Sequence, residues 1–393
     1  MKKFLFIGML ALLFSCANQD PEFPPDSAVA EADTYSDRKI GLSEAENYAR
    51  LFFSKLKATK SGGDAQFSVD YYIEDGIKTK SASLPSDTLA YIMNDVDGDG
   101  FVLISTTKTV FPILAFSDKG QFYLKEKEGS PVYDEFLSLL DEYYEVHASE
   151  AATTHNVDSF LSTCVVGELA VSSCWHQGDP FNKYVTPEHP DCPAGCVAVA
   201  IGLAMTYCKP VITYHDEYFD NAEITKAMKN ESSIMTKEQA IDRIAKLLYF
   251  IGKDLNMNYA VDGSGASSSS ALNLVQKLGY TASSFKSYNI IDIIKEMRNH
   301  NSIIYMRGQT VNGTAGHAWI VDEFCYCYKL GEGGLQVAPG VPNENSEIDE
   351  STAFLNCDWG WGGDSNGYYQ GEVFDAKYYK FKNMSYFSVV MEY

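Results

Sequence analysis

Residues 192–207 read CPAGCVAVAIGLAMTY, with Cys192 and Cys196 four positions apart at the mouth of an apolar run. A cysteine is nucleophilic as its thiolate, which forms where the sulfur meets positive charge or a helix N-terminus. Pro193 and Gly195 mark a helix start, which places Cys196 in the first turn beside backbone amides still free to stabilise an anion. Cys192 lies ahead of that turn; packing, or pairing with another cysteine, accounts for it. A thiolate also needs a base, a group that orients the base, and donors for an oxyanion. Of the 7 histidines, His147 and His155 fall in a polar connector, His189 lies between Glu and Pro, and His300 sits in polar RNHN. His317 stands apart, following Gly316 in TAGHAWIVDEF and opening an alternating apolar strand. A ring at that point is either solvated at the strand end or put to use.

These residues need rigid elements beneath them. In VAVAIGLAMTY the valines and isoleucine alternate as in a strand, but alanines fill the other face and the run continues through Met205. The length favours a helix buried on most sides. TKEQAIDRIAKLLYFIGKDL, with a capping signal at Thr236, ALNLVQKLGY and IIDIIKEMRNH read as further helices. IIYMR, HAWIVDEF, AFLNCDWGW and YFSVVMEY then read as strands. Helices first and strands later, without βαβ alternation, predict an α+β domain. Taken residue by residue, MNYAVDGSGASSSSAL at 257–272 is a flexible loop.

An earlier unit precedes this one. Ser43 caps a helix in LSEAENYARLFFSKL, with Ala45, Tyr48, Ala49, Phe52 and Leu56 forming its apolar stripe. TLAYIMND, GFVLIST, VFPILAFS and GQFYLKE follow as short strands, and EFLSLLDEYYEV closes the unit as a helix. HASEAATTHNVDS, small and polar, is an exposed connector, so a domain boundary falls near 147–159. DVDGDG at 95–100 resembles the start of an EF-hand loop, but position twelve is Thr106 where a bidentate Glu is required, which makes it a β-turn.

Composition narrows the function. The 393 residues suit two domains of ordinary size, and 26 tyrosines fit β-rich exported material. A formal charge of −22 repels phosphates and so excludes nucleic acid or an anionic membrane surface as partner. The opening MKKFLFIGMLALLFSC has two lysines, then an apolar stretch too short to span a bilayer, then Ser15 and Cys16. It reads as a secretory signal. LFSC further resembles a bacterial lipobox, with Cys16 as the lipidated first residue of the mature chain; an ordinary cleavable signal containing a cysteine is the alternative. With Cys16 and one nucleophile set aside, 7 of the 9 cysteines remain, an odd number without regular spacing, so no complete disulfide framework is implied. No His/Cys group stands at zinc-ligand spacing around Cys325 and Cys327.

WHQGDPFN at 175–182, AGCVAVAIGLAMTY, GHAWIVDEF, DWGWGGDSNGYY and the 257–272 stretch resemble, in order, motifs of the streptopain family of bacterial cysteine peptidases. GFVLISTTKTVFPILAFSDKGQF resembles part of that family's propeptide. The resemblance implies a papain-like α+β peptidase domain with a helical part and an antiparallel β part, preceded by an α+β inhibitory propeptide. With the signal and the Pro- and Asp-rich leader read from the residues, it divides the chain into a lipoprotein-type signal at 1–16, a leader at 17–40, a propeptide at 41–150 and a peptidase domain at 151–393. It implies a self-processing zymogen and an endopeptidase acting on proteins without a cofactor or metal, inhibited within the chain by its own propeptide. Residue by residue, Cys196 matches the nucleophile, His317 the general base and Gln177 the oxyanion donor. Trp359 and Trp361 match the tryptophans that shield the base. Asp358 departs from the pattern, since the family commonly has Asn before the first of these tryptophans. A carboxylate facing His317 would raise the imidazole pKa; one facing solvent would leave the base to Trp359. The expected location is an outer-membrane or cell-surface lipoprotein precursor, tied to the membrane only through Cys16, with maturation by a cut within about 147–160. A catalytically weak surface lipoprotein serving as a binding or protease-inhibitor module is the alternative function.

Overall fold

The computed structural model describes residues 38–56, 66–73, 76–78, 88–96, 100–122, 136–155, 157, 160, 165–166, 174–309, 316–328, 348–363, 365–374 and 384–391. In its first part, helix α1 (Leu42–Leu56) packs on strands β1 (Phe67–Ile73), β2 (Gly76–Lys78), β3 (Thr88–Asp95), β4 (Phe101–Ser105) and β5 (Ile113–Ser117), followed by α2 (Ser138–His147). α1 starts one residue before the Ser43 signal, because Ala45 N–H already bonds Gly41 O at 3.0 Å. The stripe reads as expected: Ala45, Ala49 and Phe52 are buried, and Phe52 meets Phe116 edge-on at 4.8 Å. β1 lacks a clean alternation and is not legible in the sequence; it joins the sheet by pairing with β3. Gln121 and Phe122 lie outside any strand, and the remainder of GQFYLKE, like residues 97–99 of DVDGDG, lies outside the described residues.

In the second part a two-residue strand, β6 (Val165–Val166), precedes the long buried helix α3 (Cys196–Cys208). A hairpin, β7 (Val211–Tyr214) with β8 (Glu217–Asp220), then leads into helices α4 (Asn221–Met228), α5 (Lys237–Asp254) and α6 (Ser268–Lys277). α5 begins on a full capping box, Thr236 with Gln239. β9 (Lys286–Ser287) and α7 (Ile290–His300) follow, then β10 (Ser302–Gln309), β11 (Gly316–Tyr328), β12 (Ile348–Asp358), β13 (Gly367–Gln370) and β14 (Ser385–Val390). The α-helices precede the antiparallel strands β10–β14, as the α+β reading requires, with only the β7–β8 hairpin and the two-residue β6 and β9 set before or among them. The 257–272 stretch corrects its residue-level reading: Asn258 and Gly265 exchange backbone bonds at 2.9 and 3.0 Å, and Ser267 caps α6.

The two parts share one sheet, ordered β2-β1-β3-β4-β5-β13-β12-β11-β10-β14-β9, with β6 beside β11. The joint is the pairing of β5 with β13, Phe116 opposite Tyr368 and Ala115 opposite Tyr369. Pairing consumes two sheet edges that would otherwise expose unbonded amides. Aromatic contacts cross the joint: Phe116 stacks on Tyr368 at 4.8 Å and tilts against Phe354 at 5.3 Å, while Phe136 of the first part meets Tyr369 at 4.7 Å. After α2, residues 148–151 are exposed, but His147 is buried against Glu150, and Val157 and Phe160 return to the core beside Phe111. Among its described residues the connector is therefore exposed at its start and buried again at Val157.

Two carboxylates lie under this joint. Glu323, 4% exposed, accepts from Tyr368, with Asp118 and Lys119 of the first part nearby. Glu372 accepts from Tyr143 of α2 at 3.3 Å and is flanked by Gln370, His147 and Glu350. Burial pushes both above the ordinary value of 4.5. A raised folded value means that their contribution is intact below the unfolded pKa and is lost as pH rises through the folded one. The urea midpoint of the full chain should therefore fall as pH rises above the ordinary carboxylate value of 4.5, and Glu323→Gln with Glu372→Gln should flatten that fall; an equally steep fall in the double variant would contradict the assignment. Separately, Phe116→Ala should cost about 3–5 kcal/mol of stability by leaving a cavity at the joint, measured by denaturant unfolding of the full chain. A loss under about 1 kcal/mol would mean that the joint is not packed as described.

Candidate active site

The geometry around Cys196 begins with a glycine. Gly195 is the N-cap of α3 at φ 93°, a conformation that side chains rarely adopt. A β-carbon there would stand 2.9 Å from Ser264 O and 3.0 Å from the Met257 side chain, so the 257–267 loop presses on the turn that presents Cys196. No side chain caps α3, and the first intrahelical bond runs from Val199 N–H to Gly195 O at 3.1 Å. The amides of the first turn, that of Cys196 among them, are the open positive end of the helix dipole. Beyond that turn the helix is buried from Val197 to Thr206, which explains an apolar run with no polar face. Cys192 is buried and free, and packs in the same core. Among the described residues 7 cysteines are free and none is in a disulfide. Tyr305 of β10, fully buried, lies within electrostatic reach of Cys196.

Gln177 reaches the same turn across the sequence gap, since its carbonyl accepts the Ala194 N–H at 2.7 Å, two residues before Cys196. Its strand-like neighbours are fixed too: His176 bridges to Trp361, and Gly362 N–H bonds Trp175 O at 2.8 Å. Trp361 thus braces the Gln177 segment, while Trp359 is the tryptophan beside the base.

His317 pairs in register with Gly308 at the start of β11. Its ring lies parallel to Trp319, 5.9 Å between centroids, and is stacked with Trp359 at 6.4 Å. Nε2 is 3.0 Å from Trp359 O. A carbonyl only accepts, so Nε2 carries the proton and Nδ1 of the neutral ring keeps its lone pair. Enclosure pushes the imidazole down to about 4, against a smaller upward pull from the Trp359 carbonyl. A depressed folded value gives stability that is present above the unfolded 6.5 and is lost as pH falls toward 4. The imidazolium is therefore disfavoured in this form of the chain, opposite to the rise that a facing carboxylate would give.

Asp358 does not face solvent. It is 2% exposed, and its Oδ1 accepts the Gly360 N–H at 3.1 Å. Gly360, at φ 71°, lies where a β-carbon would stand 2.9 Å from Val199 of α3. The loop holding His317 is thereby packed on the helix that carries Cys196. Asn366, not singled out from the sequence, accepts the Trp359 N–H at 3.0 Å. An Asn between turn residues reads as a turn former, and only the fold shows which amide it meets. Cys16 lies outside the described residues.

Residues 175–369 match the Peptidase C10 family, and residues 37–146 match the Spi protease inhibitor family. The thiol protease/hemagglutinin PrtT of Porphyromonas gingivalis is 23% identical over 372 residues, covering 84% of this chain but 38% of that protein. Streptopain of Streptococcus pyogenes is 24% identical over 371 residues, covering 83% of each. The solved prointerpain A fragment of Prevotella intermedia superposes with a TM-score of 0.54 at 18% identity, covering 84% of this chain and 100% of that one. The chain thus shares the fold of that fragment. The chain belongs to the Peptidase C10, or streptopain, family and carries the family's N-terminal inhibitor-like domain.

Proposed function

We propose that the chain is the zymogen of a cysteine endopeptidase that cleaves proteins and removes its own propeptide, with Cys196 as nucleophile and His317 as general base. The observation that carries this is the coupling of the open end of α3 to the His317 loop, through Gly360 packed on Val199 and Trp359 O holding Nε2. Nδ1 takes the Cys196 thiol proton, and the thiolate, stabilised by the first-turn amides, attacks the scissile carbonyl. The resulting oxyanion is met by the Cys196 amide and the Gln177 side chain. His317 then protonates the leaving amine and afterwards draws a proton from the water that releases the acyl group. No step calls for a cofactor or metal.

The first domain acts as the intramolecular inhibitor. It is joined to the peptidase part by the β5–β13 pairing, and the enclosure of His317 keeps the imidazolium, and with it the reactive ion pair, unfavourable in the precursor. The maturation cut falls in the exposed start of the connector, 148–154, ahead of the anchored Val157 and Phe160. Export, with lipid on Cys16, would tether the precursor to a membrane and leave the lipid on the propeptide side of that cut.

Cys196→Ala should give a full-length precursor that stays uncut, while wild type yields a mature N-terminus within 148–154 by mass spectrometry. Casein cleavage should fall by roughly four orders of magnitude or more in that variant, and by about 10²–10³-fold in Gln177→Ala. A pure Cys196→Ala protein that still processes itself would remove Cys196 from the role.

A further inference from the structure

The Trp359 backbone is held from both sides. Its N–H donates to Asn366 Oδ1 at 3.0 Å. The next peptide group, which joins Trp359 to Gly360, gives its N–H to Asp358 Oδ1 at 3.1 Å and its carbonyl to His317 Nε2 at 3.0 Å. The Trp359 ring is fully buried, against Trp319 at 4.9 Å and Tyr369 at 5.2 Å, so the side chain adds no freedom. We infer that Asp358 and Asn366 are positioning residues for His317, acting on it through this peptide group instead of by contact with the ring.

The chemistry favours a carboxylate here over an amide. An anion at the N–H of a peptide group pushes electron density toward its oxygen and strengthens that oxygen as an acceptor. The Nε2–H bond is charge-assisted once His317 is protonated, so the same carboxylate stabilises the imidazolium across one peptide unit. Asn at position 358 would keep the Gly360 contact but not the charge. Asn366 supplies the other constraint, fixing the plane on the N-terminal side of Trp359 so that its carbonyl cannot swing off the ring. Other titratable groups near the clamp are Tyr369 against the Trp359 ring, Cys174 and Cys357 near Asp358 with Asp322 beside Cys357, and Tyr305 of β10, which lies within reach of both Cys196 and Arg307. All are unchanged in the variants below.

The inference rests on His317 as the base, and two readouts separate the two claims. The first needs no activity: ¹⁵N imidazole NMR of the full-length Cys196→Ala precursor at neutral pH should show His317 as a single Nε2–H tautomer. Adding Asn366→Ala should give a mixture of tautomers, and Asn366→Asp, which keeps the acceptor, should return the single form. The second is the pH profile of kcat/KM of the matured enzyme. Asp358→Asn should move the basic limb to lower pH by roughly half a unit to one unit, with KM unchanged. A single Nε2–H tautomer in Asn366→Ala, or a basic limb unmoved in Asp358→Asn, would overturn the assignment. Should Asn366→Ala fail to fold, the Asp358→Asn profile decides alone. Activity surviving in Cys196→Ala would instead strike the nucleophile and leave the tautomer result standing.

Discussion

The hydrogen bond from His317 Nε2 to the Trp359 carbonyl is the constraint on which the site depends. It fixes the tautomer, leaves Nδ1 as the acceptor, and ties the start of β11 to the loop after β12. That loop is in turn seated on α3 by a glycine with no room for a side chain. The bond joins two pieces of the antiparallel half, and the glycine seats that half's loop on the helix of the other. A nucleophile on a helix N-terminus and a base on a strand are separately unremarkable. The loop after β12 touches both the helix of the proposed nucleophile and the ring of the proposed base.

The second constraint is the continuous sheet. An inhibitory domain that only touched a cleft could detach with little loss. Here β5 completes the edge presented by β13, and the aromatic layer of Phe111, Phe116, Phe354 and Tyr368 spans the joint. Buried Glu323 and Glu372 make that joint sensitive to pH in one direction, and His317 makes the site sensitive in the other. Rising pH weakens the joint, while acid favours the imidazolium that enclosure of the ring disfavours. The balance between these opposed titrations is set by geometry spread over both domains.

Much of this was legible in the sequence, for identifiable reasons. Local signals held where they were strong: the α3 start from Pro193 and Gly195, the Thr236 cap, the strands TLAYIMND and HAWIVDEF. The ordered motifs pointed to the family because each keeps side chains that chemistry requires. What stayed hidden was non-local. β5 and β13 are far apart in sequence and short, so no periodicity announces their pairing. The 257–272 stretch, rich in Gly and Ser, read as flexible because its order comes from packing on Gly195 rather than from propensity. Asp358 was noticed as a departure but its target was not, since a side chain that bonds a backbone amide two residues on leaves no spacing to read. Asn366 left even less.

The central claim is that one thiol, Cys196, is set apart from the six other free cysteines among the described residues by the helix end and by His317. Mass spectrometry after treatment with an epoxide inhibitor of thiol peptidases tests it most directly. The account predicts one adduct, on Cys196, in the matured enzyme, and little or none in the full-length precursor. An adduct on Cys174, or equal labelling of precursor and mature forms, would contradict it.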